Sequence, residues 1–403
     1  MIYRILELSL MIRNISVGEA LNISDAVIVD VRSEGEFEEA RIPEAVNVPL
    51  LNDEERAMVG TRYKQVSPVS ARRLGLEIVA PKLCGMVSEI DSLAPGRKVV
   101  LYCWRGGARS QFVSYMLDLM GFNVFRIEGG FKAYRRYVNA YLNSDLPHRA
   151  VVIHGLTGAG KTLVLKKLQE KGMPVLDLEG IAVHRGSVYG KVGLPPSPSQ
   201  KNFEGLIFRA LQKAEKAGVF IVECESRRLG RLLIPASVLS AMKKGHKVLL
   251  YSPIEVRIKR SMEEYFTGRE SEVIPQLLAA TGALAKYLGQ KRVEMLKELI
   301  TGGQVEKAVE FLLVKYYDPL YRYPAQPDAG YDLSVDTTDL DLAVNKVYEF
   351  VSGLAEYNVP VTGGVPYGNR ECPEECQGSQ GGIPGGCRGT HQNTPQIPGG
   401  DGK

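Results

Sequence analysis

Two short segments of this chain concentrate residues whose types and spacing can do chemistry. In Tyr102-Cys103-Trp104-Arg105-Gly106-Gly107-Ala108-Arg109-Ser110 a thiol is followed by two glycines and two arginines. A thiol becomes a good nucleophile when its pKa falls, and helix N-termini and nearby cations lower it. Gly106 and Gly107 let the chain fold around an anion, while Arg105 and Arg109 bring charge. A cysteine at a strand end is commonly just a small buried hydrophobe. An inert one has no use for two glycines and two arginines around it. The second segment, Gly155-Leu156-Thr157-Gly158-Ala159-Gly160-Lys161-Thr162, matches the phosphate-cradling pattern G-x-x-x-x-G-K-[ST] in full. There the backbone N–H groups of the loop, Gly155, Gly158 and Gly160 among its residues, surround two phosphates. Lys161 neutralises them and Thr162 offers a hydroxyl to Mg²⁺. Together the segments suggest a nucleophilic sulfur working beside a site for a phosphorylated ligand.

Both segments sit where elements of an α/β fold would put them. Val27 to Arg32, Ala45 to Pro49, Lys98 to Tyr102 and Asn123 to Ile127 read as strands. A helix begins near Arg109, with Phe112, Val113, Met116, Leu117 and Met120 at helical spacing. Strands alternating with helices mean a parallel sheet, whose ligands gather at the carboxyl ends of strands. Cys103 lies at such an end. Ala150 to His154 is the strand that feeds the P-loop, and Lys161 to about Lys171 is the helix that leaves it. Further strands are predicted at Val175 to Leu178, Val219 to Glu223 and Lys247 to Tyr251. Pro253 to Tyr317 reads as almost wholly helical, and a last helix spans Leu340 to Leu354. The strand at Val219 ends without the usual aspartate, leaving Glu223 and Glu225 as the only nearby carboxylates to help hold Mg²⁺. That departure argues against ordinary ATP hydrolysis and for a different pyrophosphate ligand.

The bulk properties bound the class. At 403 residues the chain has room for two or three domains with real cores. With 44% hydrophobic and 24% charged residues it is an ordinary globular composition. A net charge of +4 permits a nucleic-acid partner without arguing for one. No apolar run reaches the roughly 18 residues needed to span a bilayer, so no membrane role is expected. The opening residues make a poor signal peptide, and 6 cysteines without a regular framework fit a reducing, cytoplasmic setting.

Asp30-Val31-Arg32, Arg41 to Pro49, the Cys103 segment and Gly129-Gly130-Phe131 together resemble a rhodanese domain. In that family the cysteine carries a sulfane sulfur or another chalcogen covalently. The spacing here is C-x5-R, where small single-domain members often show C-x4-R. The longer loop is nearer to the rhodanese-fold phosphatases and suits a bulkier, phosphate-like group. Against a phosphatase, Tyr102 stands where those enzymes usually have histidine, and no acidic residue follows in the loop.

Further stretches extend the resemblance: Asn52 to Thr61 with Tyr63 to Gln65, Asp177 to Gly180, His184 to Ser187, Glu225-Ser226-Arg227, Glu263 to Phe266, and Tyr316 to Tyr323. In this order, with the cysteine loop and the P-loop, residues 12 to 355 resemble the tRNA 2-selenouridine synthases. The resemblance implies a rhodanese-like parallel-sheet domain at residues 1–142 and a linker at 143–149. After these comes a P-loop NTPase-like α/β domain with a helical extension at 150–357. Outside the resemblance, the Gly/Pro-rich composition of residues 358–403, with few large apolar residues, predicts a disordered tail. The resemblance further implies geranylation of 2-thiouridine at the tRNA wobble position by geranyl diphosphate, then replacement of S-geranyl by selenium from selenophosphate. Cys103 would carry the selenium, with Arg105 and Arg109 beside it. The partners implied are tRNA and a selenophosphate-producing enzyme. No permanently bound cofactor and no protein-held metal are expected, with Mg²⁺ possible alongside the diphosphate. Cys224 stands where the resemblance leads one to expect an acidic residue.

Alternatives remain open from sequence: an ATP-dependent tRNA sulfurtransferase, or a nucleotide-binding regulatory protein with a rhodanese-like phosphatase or sensor domain. Arg227, Arg228 and Arg231 with Lys243, Lys244 and Lys247 make either a phosphate-binding face for tRNA or an ordinary solvated surface. The polar, glycine-containing His184 to Ser187 stretch is predicted to be a ligand-facing loop. Tyr316, Tyr317 and Tyr321 to Tyr323 suit either a base-stacking or prenyl pocket or plain helix packing. In the tail, Cys372, Cys376, Cys387 and His391 have zinc-like spacing, but their flanks lack apolar residues to pack around a metal, which favours disorder.

Overall fold

The computed structural model describes residues 12–266 and 270–361, so residues 362–403 of the predicted tail, with its four soft ligands, lie outside them. The first residues of that predicted tail are instead pinned to the P-loop domain, Asn358 N–H donating to Ala217 O at 2.9 Å and Val361 N–H to Glu215 O at 2.8 Å. The first sheet contains β1 (Arg13–Ile15), β2 (Val27–Asp30), β3 (Val46–Asn47), β4 (Lys98–Tyr102) and β5 (Asn123–Ile127), ordered β1-β5-β4-β2-β3. Every neighbouring pair is parallel. Central strands of a parallel sheet are covered on both faces and so carry continuous apolar runs. In β4, Val99, Val100, Leu101 and Tyr102 are all buried. The register places Tyr102 opposite Asp30, so Cys103 emerges beside Val31 and Arg32.

A second parallel sheet contains β6 (Arg149–His154), β7 (Val175–Leu176), β8 (Val219–Glu223), β11 (His246–Tyr251) and β12 (Leu333–Asp336), ordered β12-β11-β6-β8-β7. Between β8 and β11 lies a two-stranded hairpin of β9 (Arg228–Leu229) and β10 (Leu232–Leu233). The helical extension runs through Ile254–Phe266, Glu270–Gly282, Ala285–Leu288, Gln290–Thr301 and Val305–Leu312. It next forms a π-helical turn, Leu313–Tyr317, and continues past the predicted end at Tyr317 as a short helix, Asp318–Tyr321. No helix among the described residues is long and apolar enough to cross a membrane.

Helices Gly130–Leu142 and Gln200–Ala214 join the two sheets through one apolar cluster that includes Tyr134, Val138, Phe203, Ile207 and Leu211. Tyr141 and Tyr137 meet Phe208 edge-on, with ring centroids 5.0 and 5.6 Å apart. Ion pairs border this core: Lys201 to Glu39 at 2.6 Å, Arg209 and Lys213 to Glu44 at 2.9 and 2.8 Å, and Arg135 to Glu204. The cysteine and P-loop sheets are thus packed against each other through a buried core rather than strung on a loose tether.

Candidate functional site

Cys103 follows β4 and is 3% exposed. Its Sγ lies 3.2 Å from Ser110 Oγ, and the helix Ala108–Leu119 starts within the same loop. The loop is locked to the next crossover: Phe131 N–H donates to Cys103 O at 2.8 Å and Lys132 N–H to Trp104 O at 3.0 Å. Gly130 makes that approach possible, since at φ +56° a Cβ there would lie 2.2 Å from Cys103 O. Beneath the loop, Arg32 and Asp30 form a fully buried pair with contacts of 2.6 to 3.0 Å. The Arg32 guanidinium also donates to Ala40 O at 2.7 Å and lies 4.1 Å from the centre of the Phe131 ring.

The two arginines of the loop have different fates. Arg109 pairs with Glu36 at 2.6 Å, and Arg56 adds a second cation to that carboxylate at 3.7 Å. Burial opposes ionisation of Glu36, but the Arg109 contact wins and holds its carboxyl below the usual range. An anion entering the loop therefore shares Arg109 with Glu36. Arg105 is exposed, and among the described residues no carboxylate lies within salt-bridge distance of it. Glu36 and Ser110 escaped the sequence reading. The Ser33-x-x-Glu36 capping box was the available signal for Glu36, but such a box marks a helix start, not a site.

In the P-loop, Lys161 Nζ donates to Gly155 O at 2.9 Å and to Leu156 O at 3.4 Å. Gly158 sits at φ +79°, where a Cβ would lie 2.7 Å from Arg257 O, so only glycine lets the loop pack on that helix. The expectation that Glu223 and Glu225 are the only nearby carboxylates needs correction. Thr162 Oγ1 donates to Glu179 at 3.5 Å, and Glu179 arrives from the turn after β7, far from β8 in sequence. Burial, reinforced by Glu225 and Glu223, holds the Glu179 carboxyl well above the usual range, and burial raises Glu225 too. Glu223 stands behind them, 3% exposed, accepting the Glu179 N–H at 2.7 Å. Among the described residues no group of three or more His, Cys, Asp and Glu side chains is arranged to hold a metal ion.

A cavity of about 430 Å³ begins at the P-loop. Gly155, Gly158, Gly160, Lys161, Thr162 and Arg260 form its polar end, with Glu179 and Glu225 at the side. The helical extension supplies an apolar wall: Leu277, Ile300, and then Val305, Ala308, Val309 and Leu312. Those last four are spaced i, i+3, i+4, i+7, one stripe of a helix. Arg185 and Ser187 of the predicted ligand-facing loop also line the cavity, with Arg185 held by Glu264 at 2.7 Å. Of the tyrosines, Tyr317, Tyr321 and Tyr323 line it, stacked in series at 6.2 Å, whereas Tyr316 packs on Tyr287 and Tyr317. Tyr323 Oη donates to Cys224 Sγ at 3.2 Å. The six basic residues named from sequence are all exposed but do not gather at one end. Arg227, Arg228 and Arg231 follow the carboxyl end of β8. Lys243, Lys244 and Lys247 lie around the amino end of β11, and the parallel sheet separates the two groups.

The family model described as the tRNA 2-selenouridine synthase AAA domain matches residues 148–331, and that of the rhodanese-like domain matches residues 16–137. Among curated relatives, the tRNA 2-selenouridine synthase of Sulfurovum sp. (strain NBC37-1) is 31% identical over 76% of this chain and 91% of its own. That of Shewanella halifaxensis (strain HAW-EB4) is 33% identical over 75% of this chain and 89% of its own. That of Pseudomonas syringae pv. syringae (strain B728a) is 34% identical over 79% of this chain and 93% of its own. On both matches and on these relatives, the chain belongs to the tRNA 2-selenouridine synthase family.

Proposed function

We propose that this protein is a tRNA-modifying transferase that replaces sulfur by selenium at 2-thiouridine of the wobble position, in two steps at two sites. The observation that carries the reading is the shape of the P-loop cavity, where a phosphate cradle opens directly onto an apolar wall. A nucleotide would bring a polar ribose and base against the apolar stripe of Ile300, Ala308 and Leu312, a poorer match than a hydrocarbon even with Arg185 and Ser187 elsewhere on the lining. A geranyl chain buries those surfaces and leaves its diphosphate at Lys161.

In this reading the P-loop N–H groups and Lys161 hold the diphosphate of geranyl diphosphate, and Arg260, packed beside Gly160, adds charge at the same end. The thiocarbonyl sulfur attacks the first carbon of the geranyl chain, the carbon–oxygen bond breaks, and its electron pair leaves with the diphosphate. Cations preorganised where that negative charge develops lower the barrier. A Mg²⁺ entering with the diphosphate would meet Thr162 and Glu179 and would supply further charge neutralisation. The S-geranyl product is a better leaving group at C2 than the original sulfur. Selenium from selenophosphate, carried on Cys103, then replaces it. To load the selenium, the Cys103 sulfur attacks the selenium of selenophosphate, and the Se–P bond breaks with its electron pair leaving on phosphorus as phosphite. The perselenide then attacks C2, the C2–S bond breaks and geranylthiol departs. An added thiol reductant cleaves the sulfur–selenium bond to free the product and restore Cys103. Burial of Cys103 beneath its loop excludes water from the chalcogen. Ser110 lies within hydrogen-bonding distance of the sulfur.

The test is mass spectrometry of an anticodon stem-loop RNA carrying 2-thiouridine, incubated with the protein, geranyl diphosphate, selenophosphate and a thiol reductant, alongside Cys103→Ser. The expected result is a geranyl adduct with both proteins and a sulfur-to-selenium mass shift with the wild type alone. No adduct and no shift with folded wild-type protein would discard the reading.

A further inference from the structure

The chain has 1 tryptophan, and it adjoins the cysteine. Large aromatic rings are mostly buried. Trp104 is instead 37% exposed while Cys103 beside it is 3% exposed. The ring is nevertheless held. It packs on Phe131 with centroids 5.8 Å apart and lies 6.0 Å from the Arg32 guanidinium, itself fixed by the buried pair with Asp30. Its carbonyl is held by Lys132 N–H at 3.0 Å. One side of the indole is therefore anchored and the other meets solvent, so a ligand docking there orders little that is not already ordered. The next residue, Arg105, is exposed with no carboxylate partner among the described residues. An anchored, half-exposed ring next to an unpaired guanidinium matches the two chemistries of a single-stranded nucleotide, a base face and a phosphate.

We propose that Trp104 is the stacking platform for the pyrimidine being modified and that Arg105 contacts an adjoining phosphate, presenting C2 of the base to the chalcogen on Cys103. This rests on the selenium-exchange reading above and adds the residues that would seat the RNA at the second site. A base stacked on Trp104 would sit at the loop that carries the buried sulfur, on the residue next to Cys103 in the chain. Stacking tolerates the bulky S-geranyl substituent, because the ring face is read rather than the base edge.

Because Trp104 is the single tryptophan, the intrinsic indole fluorescence of the whole protein reports on this place alone. The wild type is titrated with an anticodon stem-loop RNA bearing S-geranyl-2-thiouridine, and with the same RNA abasic at that position. Strong quenching by the first and little by the second is expected. In parallel, Trp104→Ala should lower kcat/KM for selenation of the geranylated RNA about 10- to 100-fold. Trp104→Phe should stay within a few-fold of wild type. Selenium loading of Cys103 from selenophosphate, read from protein mass, should be unchanged in both, as should geranylation. Equal quenching by the two RNAs, or wild-type kcat/KM in folded Trp104→Ala, overturns the platform. Base-dependent quenching with no selenium exchange by the wild type would sustain the platform and overturn the selenation reading instead.

Discussion

Arg257 grips Asp318 with both terminal nitrogens, at 3.0 and 2.5 Å, while its Nε donates to Thr157 O of the P-loop at 2.8 Å. One buried guanidinium thus ties the phosphate cradle to the helix that follows the π-helical turn. That turn carries Leu313 and Tyr317 into the cavity wall, and single π-turns of this kind recur at functional sites. Asp318→Ala leaves Arg257 buried without its counter-charge and should cost about 2–4 kcal/mol in urea unfolding. It should also raise KM for geranyl diphosphate, because the wall is no longer held in register with the cradle. An unchanged KM in a folded variant would mean the pair is structural only.

The two proposed steps use separate residues, so they should separate genetically. Lys161→Ala should reduce geranylation by at least about 100-fold, the scale of losing a group that stabilises developing charge. The same variant should still selenate RNA supplied already geranylated. The idea that the P-loop serves the prenyl donor is sunk by the reverse pattern, in which selenation fails and geranylation survives.

Ala308 is buried, yet it lines the cavity midway along the helical stripe between Val305 and Leu312. Filling that position with Ala308→Phe should block a ten-carbon chain while leaving room for a five-carbon one near the cradle. Geranylation should fall by about 10-fold or more, whereas transfer from dimethylallyl diphosphate should be retained. Overpacking of this kind is expected to cost about 1–3 kcal/mol, measurable by thermal unfolding. Equal loss with both donors would indicate collapse of the site rather than a chain-length effect.

The alternating strands, the P-loop with its helix and the Cys103 loop were legible because each has a local signature: an apolar run, a glycine pattern, a strand-to-helix switch. The edge strands β1 and β12 were not, because Arg13–Ile15 and Leu333–Asp336 are broken by polar residues and carry no continuous apolar run. The helices Asp53–Gln65, Pro68–Val79 and Leu83–Leu93 served the family resemblance in part but were not assigned as elements. The first of them has no buried residue and so carries no apolar face to read. At the site, spacing pointed to Glu223 and Glu225, yet Glu179 meets Thr162 across a distance only the fold closes. Likewise nothing local says that Arg109 turns to Glu36 while Arg105 stays open to solvent.

Glu223 gives a pH-dependent stability whose sign can be worked out. Burial, with added repulsion from Asp177 and Glu225, pushes its carboxyl up to about 8, and its Oε2 has no hydrogen-bond partner. The folded protein therefore keeps a proton that the unfolded chain releases at its ordinary pKa of about 4.3. The resulting stability is present in full below that value and is lost as pH rises through about 8. The buried imidazoles His148 and His154 act oppositely: burial lowers both to about 4, so their contribution fades only as pH falls below about 6.5. Between pH ~6.5 and ~8 the carboxylates dominate, and the wild type should lose roughly 2 kcal/mol of unfolding free energy in chelator-containing buffer. Glu223→Gln keeps a carbonyl oxygen for the Glu179 N–H and cannot ionise, so its profile should be flatter across that window, with the remaining slope due to Glu179 and Glu225. Urea unfolding at closely spaced pH values decides it. A slope identical to wild type would mean that Glu223 is already ionised in the folded protein at neutral pH, held there by a cation or water beside Oε2.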